Sequence, residues 1–248
     1  MTIYDAKEAA SYFKASLNGC KAVVMDLDQS LIHGTLTGDI GFKFLELEKN
    51  RGHDDHYKLG MENVVKILEI TLNEGVAEGL RYFFDVIGKI GCALYTTFYD
   101  LAKDAIKEAE LPGAEAFVKY IKEKELKPFI SSMGCDIGVK AAVEYFGCKD
   151  GIGNPVIYCP EKSIIQYCKI EMRNGEEKLE KTREMLKRHG LDISEALVLG
   201  NDELDYPMMK AARLSVASPM ADEEAKQIAN IWIENFREFN LALEALNQ

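Results

Sequence analysis

The segment that most constrains this chain is Ala22-Val23-Val24-Met25-Asp26-Leu27-Asp28-Gln29-Ser30-Leu31, a short apolar run that ends on two closely spaced aspartates. A run this short, bounded by a polar break, reads as a buried strand rather than a helix. Side chains alternate along a strand, so Asp26 and Asp28 share a face if the strand stays regular. Open parallel sheets bind ligands beyond the carboxyl ends of their strands, where two carboxylates can converge on one site. Such a pair is costly to desolvate without a cation, which makes a divalent metal the expected third member. One carboxylate then suits nucleophilic attack and the other proton transfer. Asp-x-Asp also occurs in loops and helix N-caps, so the rest of the chain must decide.

The chain has 248 residues, room for one large domain or for a core plus a smaller lobe. Apolar residues make up 47% and charged residues 29%, a balance that suits a globular rather than a disordered protein. No apolar run approaches the roughly 20 residues of a membrane helix, and Met1-Thr2-Ile3-Tyr4-Asp5 opens nothing like a signal peptide. The net charge of −11 argues against a nucleic-acid partner. No two of Cys20, Cys92, Cys135, Cys148, Cys159 and Cys168 have Cys-x-x-Cys spacing, so reduced thiols in a cytoplasm are expected. Cys135 is read as a candidate site of oxidation.

Residues 1–19 read as an amphipathic helix carrying Tyr4, Ala9, Tyr12, Phe13 and Leu17, stopped by Asn18-Gly19. Residues 38–110 carry helical composition without a convincing alternating strand; Val64, Val65, Leu68 and Leu72 fall at helical spacing. Leu111-Pro112-Gly113 breaks that pattern. Beyond it the chain alternates: helix 114–124, strand 127–131, helix 137–146, a β-hairpin over 155–172, helix 176–189, strand 196–199, helix 206–212, strand 214–217 and a terminal helical stretch. Trp232 and Phe236, at i and i+4, are read as core packing rather than as functional residues. Strands alternating with helices imply an α/β fold with a doubly wound parallel sheet.

The strand ends then show a pattern. Asp26-x-Asp28 closes the first, Ser131-Ser132-Met133-Gly134 the second, and Gly200-Asn201-Asp202-Glu203-Leu204-Asp205 a third, with Lys178 near the start of the intervening helix. Four motifs in this order resemble the haloacid dehalogenase-like hydrolases, a superfamily dominated by magnesium-dependent phosphatases, and resemble most its phosphoserine-phosphatase-like branch. Ser132-Met133-Gly134-Cys135-Asp136 is similar to that branch's Ser-Gly-Gly-x-Asp; Ser131 is the competing register, and Lys181 the competing lysine. The resemblance implies a Rossmann-like core at 1–34 and 111–248 with an inserted helical cap at 35–110.

It also implies chemistry. Asp26 would be the nucleophile that becomes an aspartyl-phosphate, and Asp28 the acid and base. Asp26, the Asp28 carbonyl, Asn201 and Asp205 would hold Mg²⁺, with Ser132 and Lys178 on the phosphate of a small phosphorylated metabolite. A phosphatase is expected. A phosphomutase or phosphotransferase of the same superfamily, or a phosphate-binding protein with weakened catalysis, are the alternatives. Two positions depart from the pattern. Asn201 stands where the family usually has aspartate, with Asp202 and Asp205 available to compensate. Thr35 stands where phosphoserine phosphatases carry a glutamate for the substrate's amino group.

Three further clusters stand outside these motifs. His53 and His56 can share a helix face at metal-ligand spacing, against a plainer reading as a polar loop. His33 is a candidate for the mouth of the site. Gly34, Gly38 and Gly41 are candidates for a hinge.

Overall fold

The computed structural model describes residues 5–246, so Tyr4 of the first helix lies outside the described residues. Strand β1 (Ala22–Met25) is wholly buried and forms the centre of a six-stranded parallel sheet. β2 (Lys127–Cys135) and β3 (Asp150–Asn154) lie on one side of it. β6 (Ala196–Gly200), β7 (Leu214–Ala217) and β8 (Ile231–Trp232) lie on the other, giving the order β3-β2-β1-β6-β7-β8. The chain leaves β1 in one direction and returns past it to β6, so the sheet's switch point falls beside β1.

Alternation along the strands sorts the core into two layers. Val23, Met25, Leu197 and Leu199 pack with Phe13, Phe117 and Phe239. These rings come from α1 (Ala6–Ser16), α6 (Ala114–Glu123) and α11 (Phe236–Ala245), and α7 (Asp136–Phe146) joins the same layer. Ala22, Val24, Ala196 and Val198 face the opposite layer, formed by α8 (Gly175–Arg188), α9 (Tyr206–Ala211) and α10 (Glu223–Ile228). Trp232 and Phe236 fall in different layers, because Trp232 belongs to a strand and Phe236 opens the following helix. Helical spacing does not relate them.

Between β1 and α6 stand four helices: α2 (Leu36–Asn50), α3 (Asp54–Glu74), α4 (Val76–Ile90) and α5 (Tyr95–Ala109). Of the three glycines, Gly38 and Gly41 lie inside α2, and Gly34, at φ 70°, stands in the link that precedes it; a Cβ on Gly41 would sit 2.4 Å from the Phe83 ring of α4. The glycine lets the two helices approach closely. The expected hairpin is present as β4 (Val156–Cys159) and β5 (Ile164–Cys168), a separate antiparallel pair. It meets the helical insertion: Tyr95 N donates to Ser163 O and Ile165 N to Ala93 O, both at 2.8 Å. No helix among the described residues is long and apolar enough to cross a membrane.

Candidate active site

The regular strand stops at Met25, one residue before the first aspartate. Leu27 O then accepts from the amides of Leu31 (3.0 Å) and Ile32 (3.2 Å), while Gln29 takes a left-handed conformation at φ 57°. Ser218 Oγ donates to Gln29 O at 3.1 Å and holds that turn. Asp26 and Asp28 are therefore not neighbours on one strand face. The Asp28 carboxylate turns to α2, where Oδ1 accepts from Leu36 N at 2.8 Å, and its backbone carbonyl faces the Asp26 side instead. Burial raises the Asp28 carboxyl to about 6, only partly opposed by the Leu36 amide and the Lys178 charge.

Lys178, on α8, is 1% exposed. Its Nζ lies 2.6 Å from Asp26 Oδ1 and 2.8 Å from Asp205 Oδ1. Burial works against the ammonium, but Asp205 and Asp26 hold it well above the ordinary lysine range. Burial likewise raises the Asp26 carboxyl, with Lys178 as the opposing influence. Lys181, the competing lysine, pairs at the surface with Glu184 and Glu171.

Asn201 and Asp205 follow from the end of β6. Asp205 is fully buried; its Oδ2 accepts from Asn201 N at 2.9 Å while Oδ1 serves Lys178. The Asn201 side chain is ringed by acceptors. The inward end of its amide lies 3.1 Å from Asp26 Oδ2, 3.2 Å from Asp28 O, 3.1 Å from Ser30 Oγ and 3.3 Å from Asp205 Oδ2. An inward NH₂ donates among these groups and leaves both ends of the amide satisfied; turned over, the amide oxygen would join the same groups around a cation. Hard oxygens from Asp26, the Asp28 carbonyl and Asn201 are a donor set that fits Mg²⁺. Asp202 spends its Oδ1 locally, accepting from Leu204 N at 3.0 Å to close the loop.

The two serines of β2 point in opposite directions. Ser131 Oγ is 2.8 Å from Thr182 Oγ1 under α8. Ser132 Oγ accepts from Gly134 N at 3.0 Å, and a Cβ on Gly134 would stand 3.2 Å from Ser132 Oγ and 3.5 Å from Asp28 Oδ2. Ser132 and Asp28 thus border one small space.

An apolar cavity of about 280 Å³ opens from that space into the helical insertion. Asp28 and Gly134 lie at its inner end, and Phe42, Leu45, Leu68, Leu80 and Phe83 on its walls. Apart from Asp28 and the threonines Thr35, Thr37 and Thr71, its lining is apolar side chains and glycines. The alternating apolar and polar positions of α2 to α4 give no direct sign of such a cavity in the sequence. His33 does not line it: the residue is exposed, and its backbone N donates to Ala109 O at 2.7 Å. Cys135 is buried, and burial pushes its thiol to about 11, so it is poorly placed for oxidation.

The sheet order, the switch-point loops and the helical insertion can be compared with known proteins. Residues 162–240 match the family model of the haloacid dehalogenase-like hydrolases. This is a haloacid dehalogenase-like fold. A substrate-bound phosphoserine phosphatase superposes with a TM-score of 0.62 at 21% identity, covering 88% of this chain and 96% of that one. A haloacid dehalogenase family hydrolase from Salmonella enterica serovar Typhi gives 0.65 at 15% identity over 95% and 79%. A protein of unknown function from Bordetella pertussis Tohama I gives 0.69 at 11% identity over 86% and 98%. No curated protein matches the chain. The haloacid dehalogenase-like core supplies the sheet, and its switch point is where Asp26, Lys178 and Asn201 meet.

Proposed function

We propose that this chain is a Mg²⁺-dependent phosphatase that hydrolyses a phosphomonoester through a phospho-aspartate at Asp26. The observation that carries the reading is the meeting of Asp26, the Asp28 carbonyl, Lys178 and Asn201 at the carboxyl ends of β1 and β6. The family-model match and the likeness to phosphoserine phosphatase structures support it. Residues 35–110, including α2 to α5, would act as the cap over a core formed by 1–34 and 111–248.

Mg²⁺ held by Asp26, the Asp28 carbonyl and Asn201, with Asp205 at the edge of the set, would supply positive charge against the phosphoryl oxygens. Lys178 and Ser132 hold the remaining oxygens, so that repulsion between phosphate and Asp26 is offset before attack. An Asp26 oxygen forms a bond to phosphorus as the bond to the ester oxygen breaks. The protonated Asp28 carboxyl gives its proton to the departing alkoxide. Asp28, now a carboxylate, takes a proton from the water that attacks the aspartyl-phosphate, which returns Asp26 and releases phosphate. A carboxyl raised to about 6 changes protonation near neutral pH, as a group that must act as both acid and base requires.

The cavity refines the substrate. Its inner end is at Asp28, where the leaving alcohol must sit, and its walls are apolar. The alcohol therefore carries a hydrocarbon portion rather than the charged amino acid of phosphoserine, and Thr35 offers no carboxylate to meet an amino group. Phosphate release from a panel of phosphomonoesters, assayed with Mg²⁺, tests the reading. Isomer formation without release would indicate a phosphomutase. Metal binding without turnover of any ester would indicate a phosphate-binding protein.

A further inference from the structure

Away from the sheet, at the junction of α2 and α3, three potential ligands meet around a fourth, a carboxylate that is itself fully buried. Glu48 is 0% exposed near the end of α2. Its Oε2 lies 2.7 Å from His53 Nδ1, 2.8 Å from His56 Nδ1 and 3.1 Å from Cys92 Sγ. Cys92 Sγ is also 3.6 Å from His56 Nδ1. The other carboxylate oxygen, Oε1, accepts from Arg51 Nη1 at 3.2 Å. Three donor-bearing atoms thus crowd one oxygen, and the carboxylate, both rings and the thiol are all residue types that ligate metals.

We propose that Glu48, His53, His56 and Cys92 form a zinc site that clamps the helical insertion. Zinc bonds of about 2.0–2.3 Å to N, O and S set tetrahedral edges of about 3.3–3.8 Å. The Cys92–His56 separation of 3.6 Å already matches such an edge, and the three separations from Glu48 Oε2, 2.7, 2.8 and 3.1 Å, need to open by about half an ångström. The ligand atoms of Glu48, His53 and His56 all lie within 4.8 Å of one another, and Cys92 would close in toward His53 as the fourth ligand. With Cys92 as thiolate and both imidazoles neutral, the two negative charges of the ligands balance Zn²⁺. Four protein ligands close the coordination sphere, which marks a structural rather than a catalytic ion.

The fold explains why a clamp belongs here. Among the residues of α3, only Gly60 is fully buried, while Tyr57 and Leu59 pack half-buried against the core, so an ion at the first turn would add a fixed point to a helix held by partly exposed contacts. The four ligands come from the end of α2, the loop into α3, the first turn of α3 and the segment between α4 and α5. One ion would join α2, the start of α3 and the link between α4 and α5. His53 is half-exposed, with 49% of its side chain accessible, which leaves the ion a route in from solvent. This site is separate from the one at Asp26, and its ligands include nitrogen and sulfur where that one offers only oxygen.

The test uses the full-length protein, stripped with a chelator and then given Zn²⁺ or Co²⁺ with Mg²⁺ in large excess to hold the oxygen site. About one zinc per chain should be retained, and zinc should raise the unfolding temperature. Co²⁺ should give intense tetrahedral visible bands with thiolate-to-cobalt charge-transfer absorption. Cys92→Ser should abolish the charge-transfer band, and His56→Ala should lose the bound zinc and its thermal shift. His53→Ala, at an exposed position, covers the case in which the buried variants misfold; it should weaken zinc retention at least about tenfold. Wild-type protein that retains no zinc, variants that retain as much as wild type, or a weak cobalt spectrum without a sulfur band would each overturn the proposal.

Discussion

The Asn201 side-chain amide reaches within 3.1 Å of Asp26 Oδ2, so the residue that departs from the family pattern touches the proposed nucleophile directly. An inward NH₂ occupies by hydrogen bonding the position where a cation would sit, and an outward one offers a neutral oxygen ligand. Asn201→Asp removes the competing donor and adds a charge. Mg²⁺ binding should tighten from a few-fold to about a hundredfold, the range in which neighbouring groups alter metal sites. Turnover should rise less than affinity, because the added charge also repels phosphate. Asp205→Ala should weaken Mg²⁺ more than Asp202→Ala, since Asp202 is committed to its own loop. Mg²⁺ titration of the three variants measures this; greater damage from Asp202→Ala would move the motif by one residue.

Asp26→Asn should abolish turnover, because an amide forms no acyl phosphate. Asp28→Asn should depress turnover strongly and leave Mg²⁺ affinity largely intact, since it keeps the backbone carbonyl that faces Asn201. Steady-state kinetics beside metal titration separates the two effects. Wild-type activity in Asp26→Asn would remove it as nucleophile.

Lys178→Met should cost stability as well as activity. The substitution leaves Asp26 and Asp205 buried without their shared cation, 2.6 and 2.8 Å from where it stood. Removing one partner of a buried ion pair typically costs about 3–5 kcal/mol. Urea denaturation in the absence of Mg²⁺ reads this directly. A change below about 1 kcal/mol would show that the carboxylates are neutral or otherwise satisfied.

The apolar cavity should appear as a chain-length dependence. Along a series of linear alkyl phosphates, kcat/KM should rise about fourfold per methylene until the cavity is full. Leu68→Glu, at a lining position that is 56% exposed, should flatten the series. A flat wild-type series with measurable turnover would leave the phosphatase reading standing and refute the apolar substrate.

Glu48 carries a pH prediction for the metal-free protein. Burial pushes its carboxyl up, but hydrogen bonds from His56, His53, Cys92 and Arg51 prevail and hold it at about 2, below its ordinary 4.5. A carboxyl depressed in the fold adds stability above its unfolded pKa and loses it as pH falls toward the folded value. The stability gap between wild type and Glu48→Gln should therefore be full above about pH 4.5 and shrink steadily toward about pH 2. Denaturation curves across that window check it, and a gap independent of pH would contradict it.

Much of the core was legible as local pattern. The buried run 22–25, the break at Pro112, the hairpin near 155–172 and the helix stop at Gly190 each depend on neighbours close in the chain. β3 was not legible, because Asp150-Gly151-Ile152-Gly153-Asn154 has no apolar run. Its glycines are there for α7: a Cβ on Gly151 would meet Val139 Cγ1 at 2.6 Å. That demand exists only once helix and strand have met. β8 was absorbed into the terminal helix, since a two-residue strand has no period to read.

What the sequence alone determined is the order of the four motifs and the residue types they bring, because a strand end, a turn and a helix start are local events. Their convergence is tertiary. Lys178 reaches Asp26 only because α8 packs on the sheet beside β1, and it is the turn after Met25, held by Ser218, that aims the Asp28 carbonyl rather than its carboxylate toward Asn201. The same holds for Glu48, His53, His56 and Cys92, which join three segments of the insertion. Side chains distant in sequence share a site only after packing has removed the chain's freedom to hold them apart.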